Sequence, residues 1–150
     1  MKPLIVLLLT FALSLLIIKF IRKEYHFALS ARIAMSFMLL FTATGHFLFT
    51  KGMSMMIPNF IPFKESLVYL TGFFEILIAF GLIIQNLKVI SGWILIIFLL
   101  LMLPANIYAS INNVNYQDGS FNGNGIIYLW FRIPLQILFI TWAYISAIRF

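Results

Sequence analysis

Five long apolar runs constrain the fold of this chain more than any other feature of its sequence. A transmembrane helix needs about 20 mainly apolar residues to cross the hydrocarbon core of a bilayer. Inside lipid the backbone must satisfy its own hydrogen bonds, which an α-helix does. The sequence therefore predicts an all-α membrane protein, a single integral membrane domain over residues 1–150. The predicted spans are Leu4–Ile21, Ala28–Phe49, Leu67–Ile84, Val89–Ser110 and Ile126–Ile148.

The composition agrees with a chain whose main partner is the lipid bilayer. Hydrophobic residues make up 63% and charged residues 9%, whereas soluble domains are roughly half apolar and a quarter charged. The formal charge of +6 would suggest nucleic acid in a soluble protein. Here the cations lie mostly in loops, where they orient a membrane protein, so we expect no nucleic-acid partner.

The distribution of positive residues predicts how the chain is oriented. Short loops rich in Lys and Arg stay on the cytoplasmic side. The first run has only Lys2 before it and is followed by Arg22 and Lys23 with no A-x-A pattern, so it is interpreted as a retained helix and not a cleaved signal. We expect a bacterial cytoplasmic (inner) membrane protein, multi-pass, with the N-terminus outside and the C-terminus inside. The expected inner-side cations are Lys19, Arg22, Lys23, Arg32, Lys88 and Arg149, and the outer-side ones are Lys2, Lys51 and Lys64.

The segment between the second and third spans reads KGMSMMIPNFIPFKE and is too short to cross a membrane. Pro58 and Pro62 disfavour helical geometry at the residues before them. The Met, Ile and Phe side chains nevertheless favour an interface over water. We expect a short re-entrant or amphipathic segment on the outer face, with an ordinary interfacial loop as the alternative.

Each of the last four predicted spans holds a candidate polar side chain: His46, Glu75, Asn106 and Arg132. Such groups cost several kcal/mol in lipid and usually face the protein interior. At about 1.5 Å of rise per residue, three of them lie roughly 8 to 10 Å from the middle of their spans. Because successive helices run in opposite directions, those three share one level, and Glu75 lies deeper. The sequence therefore predicts a buried polar cluster.

Several roles are open to these side chains. Glu75 is predicted to pair with Arg132 or His46, which would keep the carboxylate charged. Tyr128, Arg132 and Gln136 form a polar stripe at helical spacing. The alternatives are a pair of Glu75 and Arg132 that only locks the bundle, an Arg132 that snorkels to the interface, and a His46 or Asn106 that only bonds a neighbouring helix. One His, one Glu and one Asn make a poor metal site, so none is expected.

An ordered set of short motifs resembles the DoxX-like family of small bacterial membrane proteins. The matching text is GHF at Gly45–Phe47, IPNFIP at Ile57–Pro62, VYLTGFFEI at Val68–Ile76, Gly81, GW at Gly92–Trp93, and PANIYA at Pro104–Ala109. The resemblance implies a four-helix transmembrane bundle over residues 28–148, with the helix at residues 4–21 as an addition. It also implies a quinone-linked redox activity, carried out together with a second subunit. The residues His46, Glu75 and Asn106 occupy the positions of the family motifs.

Two functions from different classes follow from these observations. In the first, the cluster binds a quinone or another lipophilic ligand, and no cofactor is intrinsic to the chain. Glu75 and His46 then act as catalytic proton donor and acceptor. In the second, the chain is a non-catalytic accessory subunit of a membrane complex, with a partner protein or a homo-oligomer. The expected ligand-binding residues in the first case are Asn106, Arg132, Tyr128, Gln136 and Tyr69.

Overall fold

Helices form most of residues 2–150, which are the residues that the computed structural model describes. Within that range the chain has six α-helices and no β-strand beyond one isolated bridge. The all-α prediction is therefore confirmed. The helices are α1 (Lys2–Arg22), α2 (Phe27–Leu48), α3 (Thr50–Ser54), α4 (Lys64–Ile83), α5 (Lys88–Ile111) and α6 (Ile126–Ala143), which continues as a π-helical turn (Tyr144–Arg149).

Five of these helices are long and apolar enough to cross a membrane, and they correspond to the five predicted runs. The observed ends differ from the predicted ends by a few residues. The helix α4 begins at Lys64 rather than Leu67, because polar residues extend it beyond the apolar run. The last run is divided, since its C-terminal turn has π-helical hydrogen bonding.

The packing of the bundle is centred on α2, which contacts α1 on one side and α4 on the other. Small buried residues, including Ser30, Ala34, Ser36 and Ala43, let its neighbours approach closely. The helix α5 packs between α4 and α6. By contrast, α1 buries only Leu7 and Ser14 among its described residues. Large apolar side chains cover the outside of the long helices, which is compatible with surrounding lipid.

One hydrogen bond joins the two central helices. The Ser36 hydroxyl of α2 donates to the carbonyl oxygen of Ala79 in α4 over 2.8 Å, and both residues are fully buried. Interhelical hydrogen bonds between membrane helices are worth about 0.6 kcal/mol on average and up to roughly 1.7 kcal/mol. We expect Ser36→Ala to lower the free energy of unfolding by about 1 kcal/mol, measured by reversible unfolding in mixed micelles.

Thr141→Ala is the matched control for this substitution. The Thr141 hydroxyl also donates to a backbone carbonyl, that of Ile137, but within its own helix and at an exposed position. Thr141→Ala should lower the free energy of unfolding by only a few tenths of a kcal/mol, as is usual for substitutions at exposed positions. Equal losses for the two variants would show that Ser36 does not join the helices energetically.

The segment between α2 and α4 covers one end of the bundle. The short helix α3 packs against α4, and turns through Pro58 and Pro62 follow it. The chain then enters α4 through Phe63, whose backbone is left-handed with φ 55°. Helical structure is thus interrupted between α3 and α4, around the two prolines, as the geometry of proline predicts.

This end of the bundle also carries the loop of residues 112–125, which joins α5 to α6. The ring of Phe49, just before α3, meets the ring of Tyr116 in the loop edge to face, with centroids 6.0 Å apart. Gly52 of α3 lies directly against the backbone of Tyr116. The short helix and the loop therefore form one packed cover, called the cap below.

Candidate functional site

A cavity of about 340 Å³ lies under the cap, between the ends of the long helices. Its walls combine apolar side chains with a group of polar ones. Six of the seven candidate residues lie on these walls, so residues far apart in the sequence meet in one place. They are His46, Glu75, Asn106, Tyr128, Arg132 and Gln136.

Tyr69 is the candidate that the structure does not bring to the cavity. Its ring packs against Phe47 with centroids 5.9 Å apart, and 47% of the residue is exposed. The preceding residue, Val68, faces the interior. Because each residue of a helix is turned about 100° from the last, Tyr69 points away from the face that carries Val68. Its position gives no support to a ligand-binding role.

His46 and Glu75 form a pair inside this cavity. The Nε2 atom of His46 lies 3.6 Å from Oε1 of Glu75, and their side chains are only 14% and 9% exposed. That separation suits an ion pair but is long for a hydrogen bond. The two residues belong to α2 and α4, the two helices of the central contact. Of the two partners predicted for Glu75, the structure therefore supplies His46.

The orientation of the His46 ring follows from its other nitrogen. Nδ1 lies 3.1 Å from the carbonyl oxygen of Val68. A carbonyl can only accept, so Nδ1 carries the hydrogen. The Thr71 hydroxyl lies 3.0 Å from the same nitrogen and donates to the Val68 carbonyl over 2.8 Å. With Nδ1 held in this way, Nε2 is the atom that can exchange a proton with Glu75.

Glu75 is held by a hydroxyl on its second oxygen. Thr42 lies 3.0 Å from Oε2, and the same hydroxyl is 3.0 Å from the carbonyl of Leu39. A proton between Nε2 and Oε1 leaves the His46–Glu75 pair neutral overall, whichever of the two atoms carries it. The pair can therefore hold one mobile proton at the wall of the cavity without a net charge.

Arg132 lines the same cavity but forms no ion pair with a carboxylate among the described residues. Among residues 2–150, the ion pairs of the acidic side chains involve His26 and His46, and none involves Arg132. The Nε atom of Arg132 is inaccessible to solvent and has no hydrogen-bond partner among these residues. The bundle-locking pair of Glu75 with Arg132 is therefore not formed here.

Asn106 and Gln136 use part of their hydrogen-bonding capacity within the bundle. The Asn106 amide donates to the carbonyl of Met102 in its own helix over 3.0 Å. The Gln136 amide of α6 donates to the carbonyl of Leu99 in α5 and so joins the two helices. Both bonds lie close to Pro104, which lacks the N–H that a helix would need there. Each amide thus has a structural bond as well as a place on the cavity wall.

The sequence prediction missed several residues at the mouth of the cavity. Lys2 and Gln117 line it, as does Tyr116, which contacts α3 from the loop. Burial raises the pKa of the Tyr116 phenol above its ordinary value of 10.0, so this group stays a neutral donor. No periodic pattern marks a residue in a loop rich in Asn and Gly, so only the tertiary contact with α3 reveals it. Thr42, by contrast, could be found at four residues before His46 on the same helical face.

Within residues 2–150, no group of three or more His, Cys, Asp or Glu side chains lies close enough together to hold a metal ion. A family model described as a domain of unknown function, DUF8561, matches residues 35–147. This range contains most of α2 and all of α3, α4, α5 and α6. No curated protein and no solved structure matches the chain.

Proposed function

We propose that this chain, which belongs to the DUF8561 family of unknown function, binds a lipophilic ligand under its cap and exchanges a proton with it. The observation that carries this proposal is the His46–Glu75 pair, which is buried on the wall of a cavity. Two buried titratable groups in a cleft are typical of a functional site. The Val68 carbonyl and the two threonines hold the pair in one orientation.

The proposed setting is a bacterial inner membrane, crossed by a four-helix bundle with α1 as an additional span. The start of α5 and the last turn meet at one end of the bundle, where Lys88 donates to the carbonyl of Phe150 over 3.0 Å. The cations Lys19, Arg22, Lys23, Lys88 and Arg149 belong to this end. This distribution supports an N-terminus outside and a C-terminus inside, with the cap on the outer face.

A quinone is the redox-active ligand that this proposal favours. Its ring suits an apolar cavity, and its carbonyl oxygens accept hydrogen bonds from amides, phenols or guanidinium groups such as those of Asn106, Tyr128 and Arg132. Reduction to the quinol consumes two electrons and two protons. The His46–Glu75 pair would deliver protons one at a time, and a redox partner subunit would supply the electrons. The resemblance of the GHF, TGFFE and PANIY motifs to the DoxX-like family supports the same proposal.

A titration of purified protein with a short-chain naphthoquinone tests this function. We expect Glu75→Gln and His46→Ala each to weaken binding roughly tenfold or more, since each removes one member of the titratable pair that the proposal places against the ligand. Glu65→Gln is the matched control, because Glu65 is an exposed acid on the same helix. Equal affinities of the wild type, Glu75→Gln and His46→Ala would exclude the pair from binding.

The second candidate function is a non-catalytic accessory subunit, with another protein or a second copy as its partner. The observation in its favour is that the Asn106 and Gln136 amides already donate to backbone carbonyls of α5, those of Met102 and Leu99. In that case the polar residues stabilise the bundle and the cap contacts the partner. Glu75→Gln would then lower the thermal stability without changing any ligand affinity, and a pull-down from membranes would recover a stoichiometric complex.

A further inference from the structure

The walls of the cavity carry more positive than negative charge. Lys2 and Arg132 both line it, whereas Glu75 is the one acidic side chain of residues 2–150 on its walls. Glu75 is paired with His46, and that pair is neutral when it holds one proton. The lining therefore has two cations that its own carboxylate does not balance.

Arg132 is the stronger of the two cations as a ligand-binding group. Arg132 lines the cavity and forms no ion pair with a carboxylate among residues 2–150. A cation in the wall of a cavity is unfavourable without a counter-ion, and an anionic oxygen of a ligand would balance its charge. The planar guanidinium binds a carboxylate or a phosphate through two parallel hydrogen bonds. In a site with little water, the attraction between such opposite charges is stronger than in bulk solvent.

The lining of the cavity contains further polar groups and several apolar side chains. Tyr128 lies one helical turn before Arg132, and Tyr116 and Gln117 add neutral donors from the loop. The apolar side chains include Met38, Leu39, Leu99 and Phe139. A volume of about 340 Å³ is at the small end for ligand sites, which suits a head group with the first part of a chain.

We infer that the cavity selects an amphiphile with an anionic head, a carboxylate or a phosphate ester, which Arg132 binds while the apolar chain lies among the methionine and leucine side chains. This inference rests on the proposed function and narrows its class of ligand. A neutral quinone would meet the His46–Glu75 pair but would leave the charge of Arg132 unbalanced. It should therefore bind less tightly than an anionic amphiphile of similar length.

The test compares probes that differ in one property. Palmitate and methyl palmitate share a chain and differ in charge, and dodecyl phosphate and inorganic phosphate share a charged group and differ in the chain. Each is titrated into the full chain in a neutral detergent at pH 7.5, and bound ligand is counted by native mass spectrometry. We expect palmitate to bind roughly tenfold to a hundredfold more tightly than its ester, the range for a charge-assisted bidentate contact.

Variants assign this difference to Arg132. In Arg132→Gln the preference for palmitate should disappear. In Arg132→Lys it should be reduced, since Lys keeps the positive charge but lacks the planar guanidinium that donates two parallel hydrogen bonds. Arg149→Gln is the control, because Arg149 is exposed and lies outside the cavity. If Arg132→Gln does not yield folded protein, Lys2→Gln serves instead. Lys2 is exposed, and its loss should weaken palmitate binding a few-fold and leave the ester unchanged.

The outcomes separate this inference from the proposed function. Equal affinities for palmitate and its ester, or an unchanged preference in Arg132→Gln, would overturn the inference that Arg132 binds an anionic head group. The proposed ligand site would still stand. Inorganic phosphate binding as tightly as dodecyl phosphate would overturn the amphiphile. If none of these probes bound, and the naphthoquinone did not bind either, the proposed function would fail together with the inference.

Discussion

Replacement of Glu75 by leucine is expected to lower the free energy of unfolding by about 3 kcal/mol. This value lies between the cost of one unpaired buried polar atom and that of a broken buried ion pair. The substitution leaves Nε2 of His46 and the hydroxyl of Thr42 without their carboxylate partner. Glu75→Gln should cost less, about 1 kcal/mol, because the amide still provides a donor and an acceptor of similar shape.

A double-mutant cycle isolates the contribution of the pair itself. In a His46→Leu background, Glu75→Leu should cost at least 1 kcal/mol less than in the wild type, since its partner is already absent. Replacement of a whole buried pair by apolar residues is often nearly neutral. The measurement is reversible unfolding in mixed micelles, followed by circular dichroism. Identical costs in the two backgrounds would mean that the 3.6 Å contact contributes nothing to stability.

Gly52→Ala is expected to open the cap and to destabilise the protein by about 2 to 3 kcal/mol, as overpacking of a closed interface does. A Cβ added at Gly52 would lie only 1.8 Å from the carbonyl oxygen of Tyr116. That oxygen belongs to the backbone, so it can move only if the loop of residues 112–125 moves with it. Because Tyr116 and Gln117 line the cavity, we also expect weaker ligand binding and faster proteolysis within the loop.

Gly45→Ala is the matched control for the cap. A Cβ at Gly45 would lie 3.4 Å from the terminal methyl group of Met53, which is the end of a flexible side chain. Alanine also favours helix over glycine by roughly 1 kcal/mol, so Gly45→Ala should leave stability unchanged or raise it. A melting temperature of Gly52→Ala equal to that of the wild type would contradict the packing of α3 against the loop.

The helices and the level of the polar residues could be predicted because both depend on local properties of the chain. Apolar runs of sufficient length form helices wherever lipid or a protein interior surrounds them. The fixed rise of a helix then places His46, Asn106 and Arg132 at similar depth. These three residues do line one cavity. The chemical roles proposed for them stay predictions, which the titrations above test.

The partner of Glu75 could not be predicted, because it depends on how closely two helices approach. A Cβ at Gly72 of α4 would lie 2.7 Å from the Cβ of His46. The absent side chain at Gly72 therefore lets α2 approach α4 until His46 reaches Glu75. Depth along a helix gives no information on this distance, so Arg132 and His46 were equally good candidates. The same limit applies to Tyr69, whose direction depends on which face of α4 meets α2.

The amino-acid sequence by itself determined that this chain is helical, that five segments are long and apolar enough to span a membrane, and which polar residues share a level. Only the tertiary structure decided that Glu75 meets His46, that Arg132 has no carboxylate partner among residues 2–150, and that the loop with Tyr116 lines the cavity. The physical reason is the range of the forces involved. Helix formation and the position of a residue along a helix follow from neighbouring residues. Side-chain pairing and cavity walls follow from close contacts between segments distant in the sequence.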